Sequence, residues 1–189
     1  HYEVSEKALS SGKHSYSEKP LCINFEDGKK LLDLAKKNNL YLGSAPDTFL
    51  GAGIQKSKEI IENGIIGKIN LGNAIFAYPG VQSYHPSPEP WFAEKEGGPV
   101  IDMGPYYITA LVTLLGSVKC VTSRSKKVFE EREIGIGPRK GKKFKVECDT
   151  TYVSTLEFND NTLIQMTLSF DVKDHKRNHI ELYGDKGSI

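Results

Sequence analysis

Only three cysteines, Cys22, Cys120 and Cys148, occur among the 189 residues, and none forms a Cys-x-x-Cys pair. A disulfide scaffold or a zinc site needs clustered or even-numbered cysteines, so both are excluded. The three read as reduced, mostly buried thiols in a cytoplasmic protein. A surplus of one charge sign is also missing, since 25 Lys and Arg stand against 24 Asp and Glu. That balance argues against a nucleic-acid partner, which needs a basic patch. Long hydrophobic runs are absent too. Residues 106–115 form the longest nearly apolar stretch, broken by Thr109 and Thr113. A bilayer span takes about 20 residues, so no membrane partner is expected. The opening Tyr2-Glu3-Val4-Ser5-Glu6-Lys7 is too polar for a signal peptide. What is present, 38% hydrophobic and 26% charged residues, suits a folded chain with one large domain or two small ones.

Periodicity predicts a helix over 1–11 with Gly12 as its stop, then a short strand over 14–17 closed by Glu18-Lys19-Pro20. Residues 25–38 read as an amphipathic helix with Leu31, Leu32, Leu34 and Ala35 inward. Glu26 and Asp27 open it and Lys36 and Lys37 close it, as the helix dipole favours. A buried strand over 40–45, a turn at Pro46-Asp47 and a helix over 50–63 ending at Gly64 follow. That alternation is the rhythm of a parallel α/β unit. Beyond Gly67 the pattern changes to a strand over 68–78, a proline- and aromatic-rich loop over 79–91, and a helix over 102–115 entered through Gly97-Gly98-Pro99. Apolar residues alternate along 146–158 (Val146, Cys148, Tyr152, Leu156, Phe158) and again along 164–172, around an Asn159-Asp160-Asn161 turn, and Ile180 and Leu182 begin a third copy. One face (Val146, Tyr152, Leu156, Ile164, Met166, Leu168) should be buried by helices. The other (Thr151, Val153, Thr155, Leu163, Gln165, Thr167) is mixed and rich in β-formers, suited to pairing between subunits. Residues 139–143 read as a solvated basic loop. Both ends look cut, with an edge strand left bare near Gly184.

Few motifs carry chemistry. Gly51-Ala52-Gly53 and Gly135-Ile136-Gly137 both fail the Gly-x-Gly-x-x-Gly pattern, because Lys56 and Lys140 stand where the third glycine belongs. His14 and His85 lack partners at ligand spacing, so no metal is expected. Lys19 ends a strand, where ligands of open α/β sheets bind, and a lysine there can steady an alkoxide. Taken alone, a solvated turn lysine is the better reading. Asp102 and Tyr106 are four apart, so within one helical turn they share a face, and a carboxylate orienting a phenol is an acid/base pair. An N-cap followed by core aromatics is the alternative.

Residues 1–20 (HYEVSEKALSSGKHSYSEKP), 45–51 (APDTFLG), 60–69 (IIENGIIGKI) and 97–116 (GGPVIDMGPYYITALVTLLG) together resemble the Gfo/Idh/MocA oxidoreductases, in register over nearly the whole chain. The resemblance implies an α+β fold. Residues 1–46 would be the last part of a dinucleotide-binding Rossmann domain, and 47–189 a substrate-binding and oligomerisation domain with an open, mostly antiparallel sheet and helices on one face. It implies NAD or NADP as cofactor, touched here by Glu18, Lys19 and Pro20, with the glycine fingerprint upstream of His1. It places Lys19, Asp102 and Tyr106 in catalysis, and Asp47, Tyr78, His85 and Trp91 around a sugar- or cyclitol-like substrate. Tyr106 stands where many members have histidine, and Thr109 where they have an aspartate. The implied activity is hydride transfer between nicotinamide and an alcohol carbon, with the fragment itself inactive. A non-catalytic sugar- or partner-binding module and an NAD-dependent glycoside-cleaving enzyme are the alternatives. Lys19, Asp102 and Tyr106 are expected to converge on one cleft, and Tyr107, turned about 100° on the helix, to point into the core.

Overall fold

The computed structural model describes residues 1–94 and 96–189, and the chain forms two compact units, His1–Asp47 and Thr48–Ile189. In the first unit, α1 (Tyr2–Ser10) and α2 (Phe25–Lys37) pack together around Leu9, Leu31 and Ala35. Asn24 caps α2 by accepting from the Asp27 amide at 2.9 Å, satisfying one of the donors a helix start leaves open. Leu32 is a correction: it is 48% exposed. Adjacent helical residues are about 100° apart, so Leu31 and Leu32 cannot both point inward along one stripe. Strands β1 (Ser15–Ser17) and β2 (Leu42–Ser44) pair in parallel, Ser17 beside Ser44.

The second unit opens with a single 3₁₀ turn at Thr48–Leu50 and α3 (Ala52–Glu62). Its sheet starts with β3 (Ile69–Ala77) and continues with β4 (Val118–Lys126), β7 (Thr151–Phe158), β8 (Leu163–Ser169) and β9 (Ile180–Gly184), in spatial order β4-β7-β8-β3-β9. Only the β3–β8 pair is parallel. Two short strands, β5 (Glu131–Glu133) and β6 (Lys143–Lys145), make a separate hairpin. The unit is α+β with an open, mostly antiparallel sheet. Helices α3, α4 (Pro99–Asp102) and α5 (Gly104–Leu115) lie with one face of it, around a core that includes Leu111, Leu156, Phe158, Ile164 and Leu168. The other face leaves Leu71, Val153 and Leu163 between 42% and 50% exposed.

Several expectations change. The helix expected over 102–115 is two helices broken at Met103. Pro105 has no N–H for the Ile101 carbonyl, so a continuous helix loses a bond there. Asp102 therefore ends α4 instead of opening the turn that holds Tyr106, and the four-residue spacing does not by itself place them on one face. Of the strand expected over 146–158 only β7 forms, and 146–150 connect β6 to it. Val146, Cys148 and Thr150 still point inward, but the Val146 and Glu147 amides bond the carbonyls of Glu130 and Phe92 instead of a sheet neighbour. Strand β4 escaped the sequence reading because it sits at the sheet edge, nearly all exposed, and has no buried face to impose alternation. The last residues are not a bare edge, since Leu182 and Ile189 exchange backbone hydrogen bonds of 2.8 and 3.0 Å. Of the three free cysteines only Cys148 is buried, and Cys120 is exposed. Among the described residues no helix is long and apolar enough to cross a membrane.

Candidate active site

In the first unit the parallel β1–β2 register brings the loops after both strands to one edge. Glu18-Lys19-Pro20 leaves β1 and Ala45-Pro46-Asp47 leaves β2, the Ala45 amide donating to the Ser17 carbonyl at 2.9 Å. Glu18 folds its carboxylate onto the Lys19 amide at 3.2 Å. Glu18 and Asp47 are exposed, whereas Lys19 and Pro20 are partly covered. This is the carboxyl edge, where open α/β sheets take ligands.

In the second unit Tyr78 leaves β3 with its ring edge-on to Phe170, centroids 5.4 Å apart, and its hydroxyl 3.3 Å from that of Tyr84. Its phenol is held well above the usual tyrosine range, first by burial, then by the Tyr84 hydrogen bond and charge, then by the negative charge of Asp102. Tyr78 and Asp102 therefore belong to one electrostatic neighbourhood. His85 and Trp91 lie on the loop after Tyr78, their rings 4.8 Å apart. The Gly98 amide donates to the Trp91 carbonyl at 2.8 Å and ties that loop to the entrance of α4. Tyr106 starts α5, its amide donating to the Met103 carbonyl at 3.1 Å, and it packs partly buried against the core.

Tyr107 is buried among core residues and shares a 2.9 Å hydrogen bond with His179. Sequence reasoning placed Tyr107 inward but missed His179, which is 72 positions away and carries no local signal. It also missed Tyr84, the hydroxyl partner of Tyr78, and the buried Arg132–Asp171 ion pair. Arg132 sits in Glu131-Arg132-Glu133, which reads as a solvated charge run. A cleft of about 490 Å³ beside α4, lined among others by Gly97, Val100, Asp149 and Tyr152, contains none of the candidate residues. Among its charges, Lys127 pairs with Glu130 and Asp149 accepts from Ser125, both at 2.5 Å. Among the described residues no group of three or more His, Cys, Asp or Glu is placed to hold a metal.

Residues 54–189 match the family model described as the GFO/IDH/MocA C-terminal domain, and residues 1–45 the oxidoreductase family with an NAD-binding Rossmann fold. The chain belongs to the GFO/IDH/MocA family. It is 28% identical to the D-glucoside 3-dehydrogenase of Escherichia coli, over 98% of this chain and 54% of that protein. It is 25% identical to the myo-inositol 2-dehydrogenase of Thermotoga maritima, over 100% and 52%. The fold matches the WlbA dehydrogenase from Bordetella pertussis, solved in complex with NADH and UDP-GlcNAcA, with a TM-score of 0.83 at 20% identity, over 100% and 51%. The chain spans about half the length of these relatives.

Proposed function

We propose that the intact protein is an NAD(P)-dependent oxidoreductase acting on a CH–OH group of a sugar, cyclitol or similar polyol, and that these residues form its substrate side. The placement of Lys19 and Asp47 at the carboxyl edge of the β1–β2 pair carries the reading. The dehydrogenase names of the relatives support it. Glu18, Lys19 and Pro20 fit the edge of a nicotinamide site. No Gly-x-Gly-x-x-Gly for the pyrophosphate occurs in the sequence, and from this we infer that the 189 residues alone are inactive.

When bound, the nicotinamide supplies the hydride acceptor or donor. Lys19 holds the reacting oxygen by a charge-assisted hydrogen bond and steadies alkoxide character. In the reducing direction Tyr106 gives its phenolic proton to the substrate oxygen as hydride arrives at the carbon. In the oxidising direction the deprotonated oxygen of Tyr106 takes that proton back, directly or through one water. Asp102 orients the two groups, and Tyr78, Asp47, His85 and Trp91 border the ring. The exposed sheet face pairs two copies into a homo-oligomer, and the free thiols fit a reducing, cytoplasmic setting.

Full-length protein should reduce NAD or NADP in the presence of at least one of myo-inositol, D-xylose, D-glucose or a methyl glucoside. Lys19→Ala should lower turnover about 100-fold or more while leaving the dissociation constant of the cofactor within about threefold. Equal turnover in Lys19→Ala removes the catalytic assignment. No oxidation of any polyol in the wild type, together with tight polyol binding, favours the non-catalytic module instead.

A further inference from the structure

The loop that carries Tyr84, His85 and Trp91 is held by the β5–β6 hairpin, in matching order along both segments. Arg132 donates to the Pro79 carbonyl at 2.8 Å. The Gly135 amide donates to the Gln82 carbonyl at 2.8 Å, and a Cβ at Gly135 would sit 3.1 Å from the Gln82 and Ser83 carbonyls, so any side chain there would have to push the loop backbone away. Gly137 lies against Pro86. Arg139 pairs with Glu89. Glu147 closes the series, its amide donating to the Phe92 carbonyl at 2.8 Å. Contacts thus advance from 79 to 92 on one segment as they advance from 132 to 147 on the other. Beneath them Val81, Phe92, Ile134, Phe144, Val146 and Phe170 form a small core of their own.

Arg132 locks the far end. Its side chain is 7% exposed, and its guanidinium also donates to the Phe170 carbonyl at 2.9 Å, pairs with Asp171 and lies 5.0 Å from the Phe92 ring centroid. One side chain therefore binds both ends of the loop, Pro79 and Phe92, to the exit of β8. Asp171 is fixed in turn by the hydroxyls of Thr150 and Thr151 at 2.7 and 2.5 Å.

We infer that the β5–β6 hairpin is the specificity-setting element of the polyol pocket, with Arg132 and Arg139 as positioning residues that fix the 79–92 loop and hence where Tyr84, His85 and Trp91 meet hydroxyls remote from the reacting carbon. This rests on the reading that the loop borders the substrate. Because the hairpin touches no reacting group, its loss should appear in polyol binding and in choice among polyols, with chemistry unchanged.

The test is Arg139→Ala in full-length protein, because the Arg139–Glu89 pair is 42% and 35% exposed and its removal spares the core. On the best substrate of the panel above, KM for the polyol should rise about threefold to fivefold, with kcat and KM for the nicotinamide cofactor within about twofold. The charge-swapped pair Glu89→Arg with Arg139→Glu should restore it. Hydrogen exchange at amides 82–92 should quicken in Arg139→Ala and in Arg132→Lys, while exchange along 151–169 stays unchanged. Unchanged polyol KM and unchanged relative rates across the panel in Arg139→Ala would overturn the inference. If the wild type oxidises no polyol, the functional reading fails by itself, and exchange decides the clamp: faster exchange confined to the loop retains it, and no change sinks it.

Discussion

The hydroxyl of Tyr107 lies 2.9 Å from Nδ1 of His179, so the phenol next in sequence to Tyr106 already has a partner inside the fold. Tyr107→Phe should cost about 1 kcal/mol of stability in denaturant unfolding and leave the turnover of the full-length protein within about twofold. Tyr106→Phe should lower turnover about 100-fold, because in the proposed mechanism its phenol moves the proton. Full turnover in Tyr106→Phe would mean that its ring merely packs.

Burial pushes the Cys148 thiol up to about 11 from a usual value near 9, and the Tyr107 phenol up to about 12 from near 10. Both groups stay protonated in the folded chain at a pH where the unfolded chain has lost its protons. Their contribution is complete below pH 9 and is lost as pH rises through 9–11 for Cys148 and 10–12 for Tyr107. Urea midpoints should fall across this range, and Cys148→Ala should flatten the 9–11 part by on the order of 1–3 kcal/mol. A variant with the same slope as the wild type would contradict this.

Asp171→Asn leaves the buried Arg132 guanidinium without its carboxylate and should destabilise the chain by about 3–5 kcal/mol. The double variant Arg132→Met with Asp171→Leu should recover part of that loss, because it removes both buried charges together. Equal midpoints for Asp171→Asn and wild type would show that water reaches the pair.

The exposed face of the sheet carries Leu71, Val153 and Leu163. Val153→Glu should shift full-length protein toward monomer in sedimentation, without changing its circular dichroism. An unchanged sedimentation coefficient would remove this face from the assembly.

Much of the fold was legible where burial imposes a period. Ile164, Met166 and Leu168 alternate because helices cover one side of β8, and Leu31 and Ala35 repeat at helical spacing because α1 covers one side of α2. The reading failed where packing does not write itself into neighbouring residues. Exposed β4 has no alternation, and the break at Met103 depends on a single missing N–H at Pro105. For the proposed site, Lys19 and Asp102 rest on motif resemblance. Arg132 was not legible, because its carboxylate lies 39 residues away and both of its sequence neighbours are glutamates.

The parallel pairing of β3 with β8 has a consequence in time. Leu71 faces Leu163, and on its other side Tyr183, so β3 must wait for most of the chain before either neighbour exists. Pairings this distant in sequence are slow to close, whereas the β7–β8 hairpin can form as soon as its turn is made. During synthesis β3 is thus made early and housed late. Ribosome-arrested chains that end before residue 163 should leave the 69–77 segment open to protease, and chains that expose β8 and β9 should protect it.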